Sequence, residues 1–226
     1  SGDSRDESLA LSNVRIPIVD QEVFEGGDPL VAIEVTADLS GDLSKLGQVF
    51  VVVEDRDQLF STAAVSPGAN GRDNRLIIQG RPINLVAGTF SGPLRVFVCL
   101  DVECQRTVAG SPVIVPYTIT VRPGIKMNFP TPLTVATGAG SPRTLELPIT
   151  LPPGTEAWSA AFDFGPNGIA VTNSDTPSPR ALVDISALGV GYAGDWPIWF
   201  SATARTSKGR VATVRVGSQV FFRSQP

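Results

Sequence analysis

Hydrophobic and polar positions alternate along much of this chain with the period of a β-strand. Between Val31 and Asp38 apolar residues recur at 31, 33, 35 and 37, with the small Ala32 between the first two, the pattern of a strand with one buried face. Gln48–Val53 is instead a continuous apolar run, closed by the charged turn Glu54-Asp-Arg-Asp57, and it predicts a central strand. Arg75–Ile78, Leu94–Cys99 and Tyr117–Val121 are rich in β-branched and aromatic residues. The second half repeats the style in Arg143–Leu147, Trp158–Phe162, Ala181–Ile185, Trp196–Phe200 and Arg210–Val216. About seven strands in each half predict an all-β chain of two sandwiches. Leu39–Leu46 is the stretch most open to a helical turn.

An internal echo supports two units. Leu85-Val-Ala-Gly88 and Leu188-Gly-Val-Gly191 share one offset of 103 residues, each copy following an apolar strand that begins near an arginine, Arg75 or Arg180. Repetition at domain length means tandem homologous domains. A length of 226 residues fits two domains of about 100 residues each. The reading is a flexible tether over 1–12, a first immunoglobulin-like β-sandwich over 13–122 and a second over 123–226, with Pro123 and Gly124 as hinge residues. The 19 prolines and 22 glycines are scattered between apolar runs, as the many turns of an all-β fold require.

Particular residues carry a family resemblance. Ala87-Gly88-Thr-Phe-Ser-Gly92, Val98-Cys99-Leu-Asp-Val-Glu-Cys104, Gly110-Ser-Pro112 and Val115-Pro-Tyr-Thr-Ile-Thr-Val121 resemble the closing strands of bacterial extracellular immunoglobulin-like domains. Trp158-Ser-Ala160, Thr176-Pro-Ser-Pro-Arg-Ala-Leu-Val183 and the Leu188–Gly194 corner resemble BACON-type modules. The resemblance implies tandem sandwiches in a secreted or surface protein that spaces or attaches, and it supplies no site motif.

Charge and composition narrow the function. A net charge of −4 and a pI near 4.9 argue against nucleic acid and disfavour anionic partners in general. No apolar run is long enough for a membrane helix. The polar start at Ser1 reads as the tether after a cleaved signal or a lipid anchor upstream of Ser1, with an ordinary disordered terminus as the alternative. Cys99 and Cys104 are the chain's two cysteines. A close, even pair suggests a disulfide pinning a hairpin in an oxidising compartment, with a metal pair or free thiols as rivals. The expected location is extracellular, on the cell surface or periplasmic.

The sequence contains no histidine, which removes Ser-His-Asp and Cys-His catalysis and histidine metal sites. Carboxylate chemistry survives in Asp55, Asp57, Asp101, Glu103, Glu156, Asp163, Asp184 and Asp195, mostly at predicted turns where solvated acids are the default. Asp55-Arg-Asp57 lacks the spacing of a calcium loop and reads as a turn. No enzyme, cofactor or metal is expected. The binding hint is aromatic: on one strand Trp196, Ile198 and Phe200 share a face and Trp199 takes the other, so Trp199, with Trp196 and Tyr192 near it, is a candidate ligand or partner platform. Core packing of the same residues is the competing explanation. Val14, Ile16 and Ile18 lie in an apolar segment that reads either as the first strand of its own domain or as a donor to a neighbour's sheet edge.

Three functions follow in order. The first is a non-enzymatic exported structural or adhesion module with a protein partner or self-assembly. The second is a carbohydrate-binding accessory module that holds polysaccharide on the aromatic platform. The third is a subunit of an extracellular filament or surface complex assembled by strand addition.

Overall fold

The computed structural model describes residues 4–27, 29–45, 47–82 and 84–225. Its strands in chain order are β1 (Ser4–Arg15), β2 (Val19–Phe24), β3 (Ile33–Gly41), β4 (Phe50–Glu54), β5 (Phe60–Ser66), β6 (Asn74–Gly80), β7 (Gly88–Ser91), β8 (Leu94–Cys99), β9 (Arg106–Ala109) and β10 (Val113–Val115). They continue with β11 (Tyr117–Arg122), β12 (Lys126–Met127), β13 (Leu133–Ala136), β14 (Thr144–Thr150), β15 (Thr155–Phe164), β16 (Ala170–Ser174), β17 (Arg180–Asp184), β18 (Gly194–Thr206) and β19 (Val211–Arg223). The chain divides into two compact units, one of Ser1–Val23 with Pro29–Val121, the other of Phe24–Asp28 with Arg122–Pro226.

In the first unit β1, β3, β6 and β5 are neighbours in that order, while β4 and β10 pair with β8. β1 joins the two groups. Its start runs parallel to β9, Ser4 opposite Arg106, and from Leu9 it runs antiparallel to β3, Leu9 opposite Gly41. β7 and β8 are halves of one strand interrupted at Gly92-Pro93, and β9, β10 and β11 return along it with Cys99 opposite Thr107, Val96 opposite Val113 and Ser91 opposite Thr118. Gly110–Pro112 are extra residues in the returning strand. There the buried Ser111 hydroxyl accepts the Val98 N–H at 2.9 Å, supplying a partner that the broken ladder does not. Val35, Ile78, Val96, Val108 and Ile119 close the core.

The second unit has two four-stranded sheets, β12-β14-β17-β16 and β13-β19-β18-β15. Leu147, Ile149 and Val183 from the first meet Ile198, Phe200 and Phe222 from the second, the alternating inward positions of two facing sheets. The echoed segments fall at one step of the topology: Leu85–Gly92 leads into β7 and β8, Leu188–Gly194 into β18, in each case after the strand that carries Arg75 or Arg180.

Several expectations differ from what is observed. Residues 1–3 of the expected tether lie outside the described residues, but the remainder of 1–12 is strand, because ladders to β3 and β9 satisfy its backbone and Leu9 is buried. The run 48–53 becomes β4, which is laddered only to β8 among the described residues and leaves Val52 exposed while Val51 and Val53 pack inward. Its hydrophobicity therefore marks a partly exposed edge rather than a central strand. Leu43–Lys45 is a single 3-10 turn after β3, and Leu46 lies outside the described residues. Gly124 packs within the second unit: a Cβ there would stand 2.4 Å from the Glu25 carbonyl oxygen, and the Glu25 N–H donates to the Arg122 carbonyl at 2.9 Å.

That contact belongs to the short excursion Phe24–Asp28, which places Phe24 among the buried residues of the second core with Ile125 and Met127. All three tryptophans, Trp158, Trp196 and Trp199, are in the second unit, so tryptophan fluorescence reports its unfolding selectively. Phe24→Ala is expected to lower the stability read by that signal by about 3–5 kcal/mol, the usual cost of truncating a buried phenylalanine. An unchanged tryptophan midpoint in urea would show that residue 24 contributes nothing to this core.

Candidate functional site

The cysteines form a disulfide across the turn between β8 and β9, with Cα atoms 5.0 Å apart. Cys99 is fully buried at the end of β8. Asp101 holds the rest of the turn: its carboxylate accepts the Gln105 N–H at 3.0 Å and the Arg106 N–H at 2.7 Å. These bonds, the Gln105 amide foremost, keep the carboxyl below the usual aspartate range. The device is a pinned hairpin and no chemistry follows from it.

The other acids have similar structural roles. Asp55 accepts the N–H groups of Leu59 at 2.9 Å and Phe60 at 3.1 Å, and the Tyr117 hydroxyl donates to it at 2.7 Å. Burial, and then the Asp55 hydrogen bond, push the Tyr117 phenol up. Tyr117 packs edge-on to Phe60 and runs so close to Gly92 that a Cβ there would meet its ring at 2.3 Å. Asp184 is held low by the Ser186 hydroxyl and N–H, Asp163 accepts from Ser201 and Arg215, and Asp195 pairs with Arg223 at 2.6 Å. No cluster of three or more metal-binding side chains occurs among the described residues.

The aromatic candidates separate onto two faces of β18. Trp196 is partly buried against the second core, and its indole N–H donates to the Tyr192 hydroxyl at 2.8 Å. Tyr192 in turn meets Phe222 edge-on at 5.5 Å. Trp199 stands on the outer face, 36% exposed, beside Phe164, which is 50% exposed. Its ring lies against Gly217, where a Cβ would come within 2.6 Å, and the Arg215 guanidinium sits 4.4 Å from its centroid. Thus Trp199 is not joined by Trp196 and Tyr192 in one platform, and Arg215, anchored by Asp163 at 3.2 Å, stacks on the ring.

The edge-strand candidates are also placed. Val14 is on β1, which is paired with both β3 and β9, while Ile16 and Ile18 lie between β1 and β2, with Ile18 98% exposed. The first strand thus pairs within its own chain, since its backbone groups are engaged along two ladders.

Sequence reasoning missed a cleft of about 560 Å³ in the first unit, lined by Glu54, Asp55, Arg56, Ser91, Gly92, Pro93 and Arg95. It opens where the β7–β8 strand breaks at Gly92-Pro93 beside the end of β4, with Glu54 opposite Arg95 in the ladder. The side chains of Glu54 and Arg95 make no hydrogen bond or ion pair among the described residues. The signal that could have flagged it was the pair Gly92-Pro93 inside a strand, a place where pairing must stop.

Both units are immunoglobulin-like β-sandwiches, and the chain is a tandem of two. The second shows the defining order most plainly: β12-β14-β17-β16 matches the A-B-E-D sheet of an immunoglobulin domain, and β15, β18 and β19 match its C, F and G strands, with β13 added beside β19. No protein-family model and no curated protein matches the sequence. Among solved structures, a three-immunoglobulin-domain fragment of titin is similar at 9% identity and a TM-score of 0.34, covering 95% of this chain and 65% of that one. A protocadherin cis-dimer is similar at 11% identity and 0.34, over 96% and 52%. Mouse cadherin-23 domains give 12% and 0.31 over 96% and 67%. The chain spans about two thirds or less of the first of these structures, and the assignment rests on strand order, not on these scores.

Replacing Cys99 and Cys104 by serine removes a small closed loop and is expected to cost about 2 kcal/mol in urea unfolding of the first unit. A midpoint equal to that of the unaltered chain would contradict this. For Asp101 the folded pKa is depressed, so its contribution is present above the unfolded value near about 4 and lost as pH falls through the folded one. Asp101→Asn should therefore flatten the loss of stability below about pH 4, measured as the urea midpoint against pH; an unaltered acid slope counts against the turn described here.

Proposed function

We propose that this chain is a non-enzymatic, exported structural or adhesion module, in which tandem immunoglobulin-like sandwiches space or attach a surface protein. The observation that carries this reading is the engagement of the candidate acids: Asp55, Asp101, Asp163, Asp184 and Asp195 each hold backbone amides, hydroxyls or an arginine. The hairpin disulfide supports an oxidising location. The second unit fits a BACON-type module of bacterial surface proteins on its sequence resemblance. A protein partner or self-assembly is part of the proposal; donation of residues 14–18 would require Arg15 to leave its pairing with Thr36 of β3.

Exposure of Trp199 beside Phe164 favours a second reading, a polysaccharide-binding accessory module. It requires Arg215 to move off the indole. Retention on a glycan affinity gel that Trp199→Ala abolishes supports it, and retention unaffected by that change contradicts it.

The primary reading is tested by assaying the purified chain for glycoside and peptide turnover and stretching it singly from its ends. No turnover is expected, and two separate unfolding events, each releasing roughly 35 nm of chain at about 3.5 Å per residue. Turnover abolished by an aspartate-to-asparagine change would overturn it.

A further inference from the structure

We propose that the cleft between the end of β4 and the Gly92-Pro93 break binds the carboxylate of an acidic sugar, a uronate unit within a polysaccharide. Its volume, about 560 Å³, lies within the roughly 300–1,000 Å³ of small-ligand sites. Two arginines, Arg56 and Arg95, are among its lining residues. Arg95 projects from the outer side of β8 and has no ion-pair partner among the described residues, and Arg56 is 83% exposed, with its neighbour Asp57 at 3.6 Å. A guanidinium fork matches a carboxylate with two parallel hydrogen bonds.

The remaining lining decides the class of ligand. The Glu54 side chain, without a partner among the described residues, is an acceptor, and Ser91 carries a hydroxyl. A simple inorganic anion would be repelled by Glu54 and Asp55, whereas a ligand carrying both a carboxylate and hydroxyl donors satisfies both signs of the site. Pro93 is the only apolar side chain in the lining, so the cleft has no pocket for the apolar side chains by which a peptide would be read. The net charge of −4 does not oppose this at short range, because exposed charges more than about 8–10 Å away are largely screened at physiological salt.

The walls are held in place before any ligand arrives. Asp55 ties the 55–60 turn to Tyr117, and Tyr117 passes against Gly92, whose N–H donates to the Tyr117 carbonyl at 3.0 Å. Preorganisation of this kind lowers the ordering cost of binding. The inference rests on the proposed attachment role only in expecting a polymer as the ligand's source.

The experiment titrates the full chain with trigalacturonate, its methyl ester and triglutamate, in calcium-free buffer near 0.15 M salt, followed by calorimetry and amide shifts. Trigalacturonate is expected to bind with shifts at residues 91–95. The ester should bind at least tenfold more weakly, as should trigalacturonate to Arg95→Gln and to Arg56→Gln, both exposed changes that leave the core intact; Trp199→Ala should bind as the unaltered chain does. No binding, equal binding of the ester, triglutamate binding as tight, or indifference to both arginine changes would each overturn the assignment. Absence of binding would leave the structural role standing, whereas binding followed by cleavage would support the cleft and overturn the non-catalytic role.

Discussion

The hydrogen bond from the Tyr117 hydroxyl to Asp55, 2.7 Å long, is the contact on which the described surface of the first unit depends. Asp55 joins a turn's own amides to a distant strand, across 62 residues of sequence. Without it the Leu59 and Phe60 amides would lose an acceptor in a partly buried setting, a cost of about 1–3 kcal/mol for each unsatisfied group. Tyr117 can reach that far only because position 92 has no side chain. Gly92 therefore permits the packing, and Pro93, which has no N–H, ends the ladder at the same place. One local break thus produces both a filled interior and an open cleft above it.

The same economy runs through the second unit with different residues. Thr137, fully buried, donates to the Tyr192 carbonyl or the Arg223 carbonyl, the latter at 2.9 Å, and so fixes the corner that enters β18. That corner positions Tyr192 to accept the Trp196 indole N–H. Two of the aromatic residues that suggest recognition are engaged in this framework. Trp199 alone remains outward, and cross-strand register sets its surroundings: Gly217 opposite it leaves room for the ring, and Arg215 reaches over from two residues along.

Much of this was legible in the sequence wherever the signal was local. Period-two alternation located β3, β-branched and aromatic richness located β6, β8 and β11, and parity alone placed Trp199 opposite in sense to Trp196, Ile198 and Phe200. The two cysteines announced the hairpin. What failed was whatever depends on partners far along the chain. β1 begins polar and reads as tether, yet ladder bonds are made by the backbone, and Leu9 and Leu11 seat it against the core. β4 reads as central because a continuous apolar run does not reveal which strands flank it. The cleft was invisible for the same reason, since Glu54 and Arg95 become neighbours only through the β4–β8 register. Phe24, inside a segment read as first domain, gave no hint that its ring belongs to the second core.

The central claim is that the acids of this chain build structure, with Asp55 as the keystone of the first unit. Hydrogen exchange at the Leu59 and Phe60 amides, compared between the unaltered chain and Asp55→Ala, tests it most directly. The account predicts slow exchange in the unaltered chain and a loss of protection at both amides in the variant, with the β3–β6 ladder still protected. Equal protection in the two proteins would contradict it.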